Sequence, residues 1–128
     1  MTPMLTYVLW AVVLTVVQVV IAAVLAMGQV GLPTLAGNRE NMGELPDMAG
    51  RAVRAHRNML ENLVLFVALA LVAHLANRVT PTALLGAQLF FWGRVAHAII
   101  YIAGIPWLRT AAFAISVAGL LMIASQLI

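Results

Sequence analysis

The sequence predicts an all-α integral membrane protein: a bundle of four transmembrane helices. Three observations carry that reading. Of 128 residues, 64% are hydrophobic and 9% charged, with a mean hydropathy of +1.04. A soluble domain carries about 25% charged residues, so this chain has too few polar groups to cover a water-facing surface. The apolar residues also gather into four runs, each reaching the ~20 residues that cross a bilayer. Finally, no run alternates as a barrel strand would, and a helix satisfies its own backbone hydrogen bonds in lipid. The length fits a single domain over residues 1–128.

The first run spans about Met4 to Met27 and contains no charge. It lacks the positive leader of a cleavable signal peptide, since no charge precedes Arg39. The loop that follows, residues 28–50, reads GQVGLPTLAGNRENMGELPDMAG and mixes glycine, proline, acids and arginine. The second run covers about Arg51 to Asn77 and is polar in its first half. The third covers about Pro81 to Ala103 and the fourth about Pro106 to Leu127. Pro81 and Pro106 open their helices, where a missing N–H is harmless. Arg39, Arg51, Arg54, Arg57 and Arg109 fall at one end of the bundle, and only Arg78 at the other. The positive-inside rule then places the long loop in the cytoplasm and both termini outside. A multi-pass protein of a bacterial inner membrane is the expected setting. Tyr7 and Trp10 on one side, and Tyr101 and Trp107 on the other, suit interfacial belts.

Polarity inside the second and third runs is the informative feature. In RAVRAHRNMLEN, Arg51, Arg54, Asn58 and Glu61 recur at i, i+3, i+7 and i+10, and Arg57 lies four residues before Glu61. In QLFFWGRVAHAIIY, Arg94, His97 and Tyr101 recur at i, i+3 and i+7. A carboxylate as deep as Glu61 is expensive in lipid unless a cation or a wet cavity receives it. Two readings stay open. The stripes can face one another across a cavity, within the bundle or between subunits, that binds a small ligand bearing carboxylates and an ammonium group. Arginine forks would take the carboxylates and Glu61 the ammonium. Arg109 and Thr110 would complete the mouth and favour an ionised thiol or oxyanion. Alternatively, Arg94 and Glu61 form a buried pair that only fixes helix register.

Other functions are excluded or unsupported. There is no cysteine, hence no disulfide, thiolate metal site or cysteine nucleophile. The histidines at 56, 74 and 97 lack metal-ligand spacing, and His74 reads as interfacial. No phosphate-cradling GK[ST] follows the loop glycines. All seven cations are arginines, which suits forked contacts to carboxylates, and the net charge of +3 does not suggest nucleic acid. Gln18, Gln88 and Gln126 read as hydrogen-bonding glue between helices.

RAVRAHRNMLEN followed by RVAHAIIYIAGIPWLRT resembles the MAPEG family, the membrane-associated proteins in eicosanoid and glutathione metabolism. The two elements are similar to those of its microsomal prostaglandin E synthase and glutathione transferase members. The likeness runs through all four helices, and its specific part is about Arg51 to Thr110. It implies a homotrimer with glutathione, as co-substrate, bound between neighbouring subunits. Arg54, Asn58 and Glu61 would hold the glutathione backbone with Arg57 close by. His97 and Tyr101 would line the site, braced by Arg94. Arg109 resembles the family arginine credited with stabilising the thiolate, and Thr110 replaces a nearby serine. The chain departs from the family pattern at Gly31, where members often carry a carboxylate-binding arginine; the nearest cation is Arg39. Its link from Tyr101 to Arg109 is also one residue shorter than in the prostaglandin synthase.

The expected function is therefore a glutathione-dependent transferase or peroxidase acting on a lipophilic substrate from the bilayer. The alternative is a non-enzymatic trimeric scaffold or accessory subunit whose polar network is structural.

Overall fold

A computed structural model describes residues 1–37 and 47–128, and Arg39 lies outside them. Helix α1 runs Pro3–Val30, the short α2 Leu32–Ala36, α3 Asp47–Leu75, α4 Pro81–Ala103 and α5 Pro106–Ser125. Four of them are long and apolar enough to cross a membrane. The protein is thus an all-helical, multi-pass integral membrane protein.

Local chemistry explains where each helix starts and stops. The hydroxyls of Thr2 and Thr80 accept from the backbone N–H of Leu5 and Ala83, capping α1 and α4, each followed by a proline. Helix α1 outlasts its expected end at residue 27 and stops at Gly31, whose φ of 81° and ψ of 155° lie in a region essentially reserved for glycine. Helix α3 begins four residues before Arg51, at Asp47, inside what reads as loop. It ends two residues before the expected Asn77, in a left-handed Asn77 with φ 55°. Arg78 N–H then returns to Ala73 O, and Asn77 N–H to His74 O. Gly104 closes α4 the same way, with φ 84° and N–H bonds to Ile100 O and Tyr101 O. Helix α5 stops at Ser125, two residues before the expected end.

Small residues let the helices meet. Helix α1 buries Ala11, Ala22 and Ala26, and α3 buries Ala49, Ala52, Ala55, Ala70 and Ala73. Between α4 and α5 the approach is tighter: a Cβ on Gly119 would collide with the Gly86 carbonyl oxygen. Lipid provides no hydrophobic force between helices, so close packing of this kind is what holds a membrane bundle. Phe66 of α3 and Phe90 of α4 stack at 4.3 Å between ring centroids and fill the middle. The ends of α1 and α4 and the starts of α3 and α5 share one end of the bundle, which carries Arg51, Arg54, Arg57 and Arg109.

Candidate functional site

The α3 stripe divides in two, and helix geometry says why. At ~100° per residue, Asn58 lies only about 20° from Arg51, whereas Arg54, Glu61 and Arg57 lie about 60°, 80° and 120° away, all on the same side. The buried stripe of Ala52, Ala55, Met59, Asn62 and Phe66 lies on the other side of Arg51. Arg51 and Asn58 therefore point to the seam between helices, while Arg54, Arg57 and Glu61 are exposed on the surface of the bundle.

Each inward residue has a defined partner. Arg51 Nε donates to Ile102 O at 2.9 Å, and its guanidinium lies against Gly104, so it clamps the end of α4. Arg94, 1% exposed, donates from Nη2 to Asn58 Oδ1 at 2.7 Å. Asn62 Nδ2 donates to the Asn58 backbone oxygen at 2.8 Å and to its Oδ1 at 3.3 Å. The two stripes thus meet through a direct hydrogen bond rather than across a gap between α3 and α4. The buried Arg94–Glu61 pair considered from the sequence is not formed: among the described residues, Glu61 has no ion pair with Arg94 or with Arg57. The geometry is again the reason, since Asn58 occupies the inner edge and Glu61 the outer.

The third part of the site stands beside α3 at the ends of α4 and α5. His97 is buried, with its ring 5.4 Å from that of Tyr101 in an edge-on contact. The Arg109 guanidinium lies over the Tyr101 ring at 4.5 Å, within reach of a cation–π attraction. The fold therefore brings His97, Tyr101 and Arg109 together. Thr110 is exposed, and its hydroxyl is engaged by its own helix, donating to Pro106 O at 3.3 Å.

A model of the MAPEG family matches residues 4–128. The chain belongs to the MAPEG family. A search of curated proteins finds no match. As a MAPEG chain it carries its polar residues in two settings: a closed inner set (Arg51, Asn58, Asn62 and Arg94) and an open outer set (Arg54, Arg57 and Glu61).

The sequence reading missed two features. Gln18, expected to bond a neighbouring helix, is 3% exposed with neither amide atom hydrogen-bonded among the described residues. Gln126, by contrast, does act as glue, accepting from Thr80 Oγ1 at 2.8 Å. The second feature is the role of Arg51 as the α4 clamp. Its available signal was Gly104 directly after the third run, a residue suited to a left-handed helix end that leaves carbonyls for a cation to bond.

Proposed function

We propose that this protein is a membrane glutathione-dependent transferase or peroxidase, acting on lipophilic electrophiles that enter from the bilayer. The basic end faces the cytoplasm, with glutathione bound there between the subunits of a homotrimer. The observation that carries this reading is the exposed set Arg54, Arg57 and Glu61 on a membrane-spanning helix. Two guanidiniums and a carboxylate cannot all rest against lipid tails, so a neighbouring copy and a zwitterionic ligand are the chemistry that covers them. Arg54 and Arg57 would fork onto glutathione carboxylates, and Glu61 would take its ammonium. Arg109, held on Tyr101, would stabilise the thiolate that attacks the electrophilic carbon as its leaving group departs. Arg39 in the long loop is a further candidate contact.

The test is a melting experiment on the detergent-solubilised protein with millimolar glutathione. A specific ligand at 100 times its Kd adds ~2.7 kcal/mol by mass action. The midpoint should rise, and Arg54→Ala or Glu61→Gln should abolish the rise. An unmoved midpoint in the parent protein would sink the proposal.

A second reading, the non-enzymatic trimeric scaffold, is favoured by one observation. Gly31 stands where family members often carry a carboxylate-binding arginine, and its φ of 81° would strain any side chain there. Under that reading glutathione leaves the midpoint unchanged and Glu61 pairs only with a neighbouring subunit.

A further inference from the structure

Among the described residues, five buried side-chain polar atoms have no hydrogen-bond partner: both amide atoms of Gln18, Nε and Nη1 of Arg94, and Nδ1 of His97. Backbone register places Gln18 with the others. Ala26 of α1 packs with Ala49 of α3 in an antiparallel pair. Gln18, two turns back from Ala26 along α1, is therefore level with Arg57 on α3, next to the Asn58 that holds Arg94. Gln18 is therefore at the depth of the Arg94 guanidinium, and its side chain is turned inward, 3% exposed. The Phe66–Phe90 stack closes this layer about two helical turns further along α3 and one turn back along α4.

Leaving such atoms unbonded in a membrane bundle costs several kcal/mol for each group. The mixture of chemistries decides what meets them. Arg94 Nε and Nη1 only donate, Gln18 Oε1 only accepts, and Gln18 Nε2 donates. An anion would serve the donors but repel Gln18 Oε1. Water serves both, and about two molecules making ~3 hydrogen bonds each would suffice.

We propose that the bundle holds a small water-binding polar chamber on the Arg51 side of the Phe66–Phe90 stack, in which ordered water links the Gln18 amide to the Arg94 guanidinium beside His97. Gln18 is thereby a positioning residue for Arg94, fixing the face of the guanidinium that Asn58 leaves free. The chamber lies within one chain, so it does not depend on whether a thiol ligand binds between subunits.

The test is a double-mutant cycle on the full chain in detergent, read by thermal midpoint and infrared spectroscopy. Gln18→Glu places a carboxylate in the chamber. With Arg94 present it should ionise, raise the midpoint and show no carbonyl stretch of a protonated acid. In an Arg94→Gln background the same change should lower the midpoint and bring that stretch into view. A fall of equal size in both backgrounds, with a protonated acid in each, overturns the proposal. Gln18→Leu is the second arm should the carboxylate prevent insertion. It should lower the midpoint when Arg94 is present and have little effect or the opposite effect with Arg94→Gln. A rise with Arg94 present would mean that the amide was simply a buried orphan, and would overturn the proposal equally.

Discussion

The Arg94–Asn58 hydrogen bond offers the sharpest test of the fold around the site. Asn58→Ala removes the one acceptor, among the described residues, of a guanidinium that is 1% exposed. Hydrogen bonds to charged groups contribute ~1.5–3 kcal/mol in proteins, whereas side-chain bonds within membranes average ~0.6 and reach ~1.7. The 2.7 Å length and the full charge put this bond where the two ranges meet, so we expect a loss of about 1.5–2 kcal/mol. Asn62 adds little to that loss, because its 2.8 Å bond to the Asn58 backbone survives the change. For a chain of this size 1 kcal/mol moves the midpoint by ~3–5 °C, so a fall of roughly 5–10 °C is expected. The assay is tryptophan fluorescence against temperature, in one detergent and without ligand. Asn58→Asp, which offers a carboxylate at the same place, should hold or raise the midpoint. The reasoning fails if Asn58→Ala melts within about a degree of the parent protein, or if Asn58→Asp melts below Asn58→Ala.

Arg109→Ala should spare glutathione binding while lowering turnover of chlorodinitrobenzene. A lost positive neighbour raises a thiol pKa by one to three units, a fall of roughly 10- to 1,000-fold in thiolate at neutral pH, and unchanged turnover removes Arg109 from the mechanism. Gly119→Ala drives a Cβ into the Gly86 carbonyl and should lower the midpoint strongly, whereas Gly28→Ala, with nothing within 4 Å, should be neutral or gain ~0.5–1 kcal/mol. Equal melting of the two variants would show that α4 and α5 are not in close contact. Arg51→Met frees Ile102 O and should lose about 1–2 kcal/mol locally. Hydrogen exchange should then quicken across residues 100–109, and uniform protection there would argue against the clamp.

The four membrane helices were legible because composition and run length are properties of whole segments, insensitive to the angle of any one side chain. Proline and glycine marked most helix ends for the same reason, each acting through its own backbone. The start of α3 was not legible. Asp47 to Gly50 follows a proline and contains an acid and a glycine, so it reads as loop, yet it continues a helix that Arg51 fastens to α4 from outside. The stripe Arg51, Arg54, Asn58 and Glu61 was visible as a coarse face but not as two edges. What separates them is a rotation of about 60° between Asn58 and Glu61, and the neighbour that decides which edge turns inward lies 36 residues away at Arg94. Gln18 was legible as a polar residue in an apolar helix. That it lies level with Asn58 follows only from the packing of α1 on α3.

Depth decides which exposed charge constrains the protein most. The Arg51–Ile102 bond aligns Arg51 with the end of α4, whose 23 residues extend ~35 Å, slightly more than the ~30 Å of hydrocarbon. Arg51 therefore sits about at the hydrocarbon boundary. Three, six and ten residues further along α3, Arg54, Arg57 and Glu61 lie about 4.5, 9 and 15 Å deeper at 1.5 Å per residue. The two arginines have long apolar stems and can carry their charge back to the interface. Glu61 cannot, since its short side chain ends near the middle of the bilayer. A charge at that depth costs about 2.5–3.5 kcal/mol even on the most lenient scale. Arg94, the cation nearest in sequence logic, is already bonded to Asn58. Among the described residues Glu61 has no ion pair, so under the proposed function its partner is a neighbouring copy or the ligand ammonium, and Glu61→Gln is the variant that tests both.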